Sequence, residues 1–235
     1  VWTLKLENRE RLVVSDEFTN YYVAKKVLES LPEGSNVHAS VLNSMKFTNM
    51  SKLPQNTIAT GNNCADGIDG ALSTFIGQAE VLDSLSLLVI GDLSYLYDLN
   101  AAIHDFKNNT RVLLINNFAG GEFHFNIGKK KISTLEQHIA AGHHTKIQDA
   151  IGLSNFQYIA VHNKGELEEK LSLFLRESEN PILMEVFTNP ELDGSSLKKL
   201  IRNNIKMTPE RLIAGFVNKF LDCRTKYAIK KFLHR

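Results

Sequence analysis

Gly91-Asp92-Leu93-Ser94 and Asn116-Asn117 are the residues of this chain whose types and spacing best suit chemistry; Asp92 and Asn117 lie 25 positions apart. A carboxylate and a carboxamide are hard oxygen donors of the kind magnesium takes. A helix start beside them offers free N–H groups to a phosphate ester. Such donors need elements to hold them. Ser86 to Ile90 and Val112 to Ile115 are apolar runs of strand length, and Leu96, Leu99, Ala102, Ile103 and Phe106 recur between them at helical spacing. The unit reads strand, helix, strand. In a right-handed βαβ unit both strands end on one edge of the sheet, the edge where open α/β sheets bind ligands. The competing reading is that Asp92 caps the helix around Tyr95 and Asn116-Asn117 make a turn.

The same alternation runs through the chain. The spacing predicts a helix over 16–31, N-capped by Ser15, with Val23, Val27, Leu28 and Leu31 on its buried face and Pro32-Glu33-Gly34 as its stop. Strands are expected at 37–41, 57–60, 86–90, 112–115, 158–161 and 182–187, and helices at 67–81, 95–107, 145–151 and 165–177. Gly120 to Lys131 reads as a loop. This pattern predicts an α/β fold: a doubly wound, mostly parallel sheet of about six strands with helices on both faces, plus C-terminal helices. Residues 1–14 read as a leader or linker, 15–190 as the main domain and 191–235 as a basic helical extension. That extension is expected to pack on this domain or a sister subunit, or to dock an acidic partner or lipid headgroups.

Composition narrows the function classes. Of 235 residues 43% are hydrophobic and 23% charged, ordinary values for a globular protein, and the net charge of +1 argues against a nucleic-acid or membrane-surface role. No apolar run reaches the roughly 18 residues of a membrane span. Cys64 and Cys223 form no metal spacing and no disulfide framework, which suggests reduced thiols and a cytoplasmic protein. The start at Val1 and the polar stretch from Glu7 to Arg11 read as a piece of a longer protein.

Gly-Asp, some two dozen residues, then Asn-Asn resembles the cofactor motif of thiamine-diphosphate enzymes. The strings GDLSYLYDLNAAI and LLINNFAGGEFHF follow VLNSMKFTNM at 41–50 and GNNCADGIDGALSTFIG at 61–77. Together they are similar to the C-terminal thiamine-diphosphate (PP-type) domain of the SEPHCHC synthase family, carboligases that join 2-oxoglutarate to isochorismate in menaquinone synthesis. The resemblance covers about 15–190 and implies thiamine diphosphate and Mg²⁺ as cofactors. It implies Asp92, the Asn117 side-chain oxygen and the Ala119 carbonyl as metal ligands. Gly91, Leu93 and Ser94 would lie at the diphosphate. Ile68 would be the apolar wedge that bends the cofactor, with the Gly67 backbone facing the aminopyrimidine, although an isoleucine there also reads as core. Asn43 and Ser44 would lie near the thiazolium and substrate, or else cap a helix or turn. His124, His143 and His144 are candidates to move protons.

The resemblance also implies what lies elsewhere. The glutamate that activates the cofactor comes in this family from a pyrimidine-binding domain of the same protein or a partner subunit. No catalytic residue is therefore assigned here, the isolated chain is expected to be inactive, and a homo-oligomer is expected. The implied activity is that of a transferase or lyase: attack on a 2-oxoacid carbonyl, loss of CO₂, then addition to an acceptor or protonation. The chain departs from the pattern where Thr48 and Asn63 stand in place of two family arginines, with Cys64 in place of a glycine. Arginine binds carboxylates in a planar, bidentate way that neither replacement can. Lys46 and Lys52 are the nearest other cations. A relative acting on another substrate, one subunit of a split decarboxylase, and a noncatalytic module that keeps the fold are the alternatives.

Overall fold

The computed structural model of the protein describes residues 16–62, 67–127, 132 and 134–204. The expected leader, Ser15, Asn63, Cys64, the Lys129–Lys131 triplet and Cys223 lie outside the described residues. The chain divides into two compact units, Val1–Leu200 and Ile201–Arg235; of the second, only the final helical residues 201–204 are described.

Six strands form one sheet: Asn36–Ala39 (β1), Ile58–Gly61 (β2), Ser86–Gly91 (β3), Thr110–Asn116 (β4), Gln157–Val161 (β5) and Ile182–Phe187 (β6). Their order is β2-β1-β3-β4-β6-β5, and every neighbouring pair is parallel. All of β4 and residues 86–90 of β3 are buried. Successive strand residues point to opposite faces, so both faces of the sheet are covered at its centre, whereas the edge strand β2 is largely exposed. On one face Leu88, Ile90, Val112 and Leu114 pack with Leu72 and Phe75. The chain leaves β1 in one direction to reach β2 and returns on the other side of β1 to β3. That reversal puts a crevice between the carboxyl ends of β1 and β3.

The helices are Asn20–Glu29 (α1), Asn43–Met50 (α2), Ala71–Glu80 (α3), Asp92–Tyr97 (α4), Gly121–Ile127 (α5), Lys164–Leu175 (α6) and Pro190–Asn204 (α7). Short 3₁₀ turns run over Leu99–Ile103 and Ile147–Leu153, and a π turn over Leu135–Ile139. The first helix begins later than predicted because Thr19 supplies the cap, its hydroxyl accepting from Tyr22 N–H at 3.3 Å. The helix expected over 95–107 stops at Tyr97. Asp98 is diverted to Ser73, accepting from its N–H at 2.7 Å and its hydroxyl at 2.8 Å, and so serves the start of α3, where Gly70 has no side chain to offer. Two helices were not expected: α2, and α5 within the predicted 120–131 loop. No helix among the described residues is long and apolar enough to cross a membrane.

Candidate functional site

The carboxyl ends of β1, β3 and β4 open on one cleft of about 140 Å³. Asn43, Ser44, Ile68, Gly91, Asp92, Leu93, Ser94, Asn117 and Ala119 line it; Gly67 does not. The register explains the central pair. Gly91 at the end of β3 is level with Ile115 of β4, so Asp92 and the Asn116-Asn117 pair leave adjacent strands at the same edge. Asp92 is the first residue of α4 rather than its cap, a position held by Gly91. Its buried carboxylate accepts from Leu93 N–H at 2.7 Å and lies 3.2 Å from His143 Nε2.

The two asparagines divide their work. Asn116 Nδ2 donates to Glu185 Oε1 at 2.7 Å and to the Thr145 carbonyl at 3.0 Å, while its Oδ1 accepts from Phe118 N–H at 3.0 Å. It ties the strand end to the loop beyond. Asn117 Nδ2 donates to Asp193 Oδ2 at 3.3 Å, and its Oδ1 accepts from Ala119 N–H at 3.2 Å. Ser94 Oγ donates to the Ile68 carbonyl at 2.5 Å and meets Ser40 Oγ at 2.9 Å. These contacts sit at the β1/β3 reversal and hold Ile68 against the cleft. Ile68 precedes α3 rather than lying inside it, contrary to the helical span predicted over 67–81.

Backbone strain and orphaned polar groups mark the same rim. Leu42 and Phe118, at the ends of β1 and β4, have φ of 62° and 61°, values that side-chain-bearing residues rarely adopt. Leu42 leaves its side chain 42% exposed at the cleft wall and provides no side-chain cap for α2. Among the described residues Asn43 Oδ1 is buried there without a hydrogen-bond partner, and an unsatisfied acceptor on a cleft wall favours a bound donor or cation. Among the described lining residues two are carboxylates, Asp92 and Glu122, and none is lysine, arginine or histidine. Among the described residues no group of three or more His, Cys, Asp and Glu could hold a metal ion. A cation in this cleft would have to draw on amide and carbonyl oxygens beside Asp92. Asp92, Asn117 and Ala119 all line the cleft, and a carboxylate, a carboxamide oxygen and a backbone carbonyl are donors of the chemistry that fits magnesium.

The remaining sequence candidates separate clearly. His143 reaches Asp92; His144 is exposed; His124 turns to Glu136, with Nε2 2.9 Å from its carboxylate. Thr48 is buried in α2 and its hydroxyl donates back to the Ser44 carbonyl at 2.9 Å, so it faces no ligand. Lys46 Nζ is 2.6 Å from both Glu122 oxygens and 5.1 Å from the Phe125 ring centre. Sequence reasoning missed Glu122, Glu185 and Asp193. Glu185 had a signal, an acid inside the apolar strand Ile182–Phe187. Fully buried, it accepts from Asn116, Ile147 N–H at 3.0 Å and the Tyr158 hydroxyl at 2.6 Å. Burial, reinforced by the Glu185 carboxylate, holds the Tyr158 phenol well above its ordinary value. Burial pushes the Asp193 carboxyl up to about 6, against the bonds from Asn20, Thr188 and Asn117 that lower it and with the charge of Asp92 raising it further.

A parallel sheet whose strand reversal opens into a cleft, with an acid and an amide from adjacent strand ends, defines a doubly wound α/β domain, the class that takes ligands at such a reversal. No family model matches the chain. Among curated proteins it is 34% identical over 175 residues to 2-succinyl-5-enolpyruvyl-6-hydroxy-3-cyclohexene-1-carboxylate (SEPHCHC) synthase of Bacteroides thetaiotaomicron, a match covering 73% of this chain and 32% of that protein. The synthase of the same name from Phocaeicola vulgatus is 32% identical over 185 residues, covering 77% and 33%. That of Desulfotalea psychrophila is 32% identical over 185 residues, covering 76% and 33%. The chain carries a SEPHCHC-synthase-like domain. It spans about a third of the length of the curated relatives it matches.

Proposed function

We propose that this chain is the Mg²⁺–thiamine-diphosphate-binding part of an enzyme that decarboxylates a 2-oxoacid and passes the remaining fragment to an acceptor or a proton. One observation carries the reading: Asp92 and Asn117, from adjacent strand ends, line one cleft with Asn43, Ser44 and Ile68. The oxygen-only donor set and the orphaned Asn43 Oδ1 support it. Asp92, Asn117 Oδ1 and the Ala119 carbonyl would hold the metal, and Gly91 and Leu93 would border the diphosphate. Ser94 would hold the Ile68 segment through the Ile68 carbonyl, so that Ile68 supports the cofactor from below. When bound, thiamine diphosphate supplies an electron sink at the 2-oxoacid carbon. The activating glutamate would come from a pyrimidine-binding domain of the same protein or of a partner subunit, in a cytoplasmic homo-oligomer.

A second reading of the substrate is favoured by Thr48 and Lys46. Thr48 is turned into its own helix and Lys46 is neutralised by Glu122. Neither offers a free cation for a carboxylate, which supports a substrate other than the pair used in menaquinone synthesis. Hydrogen–deuterium exchange at the thiazolium C2 of added cofactor tests the proposal, with this chain alone and then with a separately expressed pyrimidine-binding domain. Exchange on mixing is the expected result; rapid exchange by the chain alone would overturn the shared-site reading.

A further inference from the structure

Asp193 does not line the cleft, yet it holds the one side chain on which the metal reading most depends. A carboxamide presents an oxygen at one end and an NH₂ at the other, and only the oxygen serves a cation. The two ends differ by a half-turn about one bond. Asn117 Nδ2 lies 3.3 Å from Asp193 Oδ2. A carboxylate only accepts, so the reversed amide would set two oxygens against each other at that distance. We propose that Asp193 is a positioning residue: it pins the NH₂ of Asn117 and thereby keeps Oδ1, which accepts from Ala119 N–H at 3.2 Å and has a second lone pair, as the end that a divalent cation would meet. The inference rests on the proposed metal site.

Three observations show that Asp193 is itself fixed. Its Oδ1 accepts from Asn20 N–H at 2.8 Å, at the start of α1, and its Oδ2 accepts from the Thr188 hydroxyl at 2.7 Å. It is 2% exposed. Its neighbour Gly194 lets α7 approach the other wall of the site: a Cβ there would lie 3.1–3.2 Å from backbone atoms of His124 and Phe125. On the side away from Asp193 the NH₂ fills space that only a glycine leaves open: a Cβ on Gly121, the first residue of α5, would lie 2.6 Å from Asn117 Nδ2. Asn117 is therefore held by α7 at a place where α5 carries no side chain to displace it. Among the described residues Asp92 has no comparable grip, since its second oxygen meets His143 there and no other group. The division makes Asn117 the pre-set ligand of the pair and Asp92 the adaptable one.

The test uses Asp193→Asn, which keeps the volume but can meet either end of the Asn117 amide, its oxygen accepting from the NH₂ or its own NH₂ donating to Oδ1. Two readouts are needed. The first is the ¹⁵N side-chain amide signal of Asn117, identified by its loss in Asn117→Ala; its hydrogen exchange is expected to be slow in the unaltered protein and faster in Asp193→Asn. The second is calorimetric binding of thiamine diphosphate with and without Mg²⁺. Asp193→Asn should weaken Mg²⁺-dependent binding by roughly 10- to 100-fold and leave Mg²⁺-independent binding unchanged. Thr188→Val, which loosens the same carboxylate but keeps its charge, should lower stability with a much smaller effect on Mg²⁺ affinity. Equal losses in the two variants would mean a merely structural role and overturn the inference, as would unaltered affinity and exchange in Asp193→Asn. Should the unaltered protein bind without regard to Mg²⁺, the metal reading fails, and unchanged amide exchange in Asp193→Asn would separately refute the pinning. If Asp193→Asn does not fold, Gly121→Ala presses the same NH₂ from the other side. It is then expected to speed exchange at Asn117, and unchanged exchange there overturns the inference.

Discussion

Lys46 Nζ lies 2.6 Å from each carboxylate oxygen of Glu122, and this pair joins the first turns of α2 and α5 across the cleft. The lysine side chain is 36% exposed and the glutamate 15%. Ion pairs that keep a solvent-facing partner contribute little to stability, so the importance of this part-buried one lies in the charge it cancels.

Glu122→Gln should therefore change the unfolding free energy by no more than about 1 kcal/mol while freeing the Lys46 charge. In the full-length enzyme the variant should bind dicarboxylic 2-oxoacids such as 2-oxoglutarate more tightly than the unaltered protein, and Lys46→Met should not. Urea denaturation and competition binding check the two halves. Weaker binding in Glu122→Gln would make Glu122 itself the contact.

Asp92→Ala should abolish the Mg²⁺ dependence of thiamine diphosphate binding without unfolding the domain. Asp92 stands at a strand end, and among the described residues its side chain bonds Leu93 N–H and His143. Titration calorimetry with and without Mg²⁺ measures the first claim and circular dichroism the second. An unchanged difference between the two titrations would remove Asp92 from the metal site.

His38 should make the fold less stable toward acid. It is buried on β1, with Nε2 2.5 Å from Asn62 Oδ1 and Nδ1 3.0 Å from Thr60 Oγ1. Burial lowers its pKa from 6.5, although its bonds to Asn62 and Gln78 pull the other way. Below 6.5 the unfolded chain therefore takes up a proton that the folded protein resists. Stability from this group is whole above that pH and falls as pH drops from 6.5 through the folded value. The imidazole signal of His38 in an NMR titration should have its midpoint below 6.5; a midpoint at or above it would contradict the burial argument.

The sheet was legible because buried parallel strands are near-continuous apolar runs, and each predicted run became a strand within a few residues. The Asp92–Asn117 juxtaposition was legible because two strand ends in one βαβ unit must share an edge. Other features depend on contacts that no local pattern records. Residues 43–50 show weak helical periodicity, and α2 is secured by Phe47, whose ring centre lies 5.4 Å from that of Tyr21. Asp98 breaks a helical pattern because Ser73, distant in sequence, claims its carboxylate. Asp193 meets Asn117 across 76 positions, a pairing set by the way α7 returns over the sheet end.

That return supplies the last prediction. Gly194 lies in the first turns of α7, where any Cβ would stand 3.1–3.2 Å from the His124 carbon and oxygen and the Phe125 nitrogen. Those are backbone atoms and cannot rotate away as a side-chain tip would. Gly194→Ala gains helix propensity, worth about 1 kcal/mol in an exposed helix. Yet it must push α7 off α5, and overpacking of this kind costs about 1–3 kcal/mol. The expected net result is a loss of stability in urea denaturation. Because Asp193 rides on the same turn, Mg²⁺-dependent cofactor binding should weaken along with it. Ala should be worse than Gly on both measures. A variant more stable than the unaltered protein would mean that α7 moves freely against α5 and that helix propensity decides the outcome.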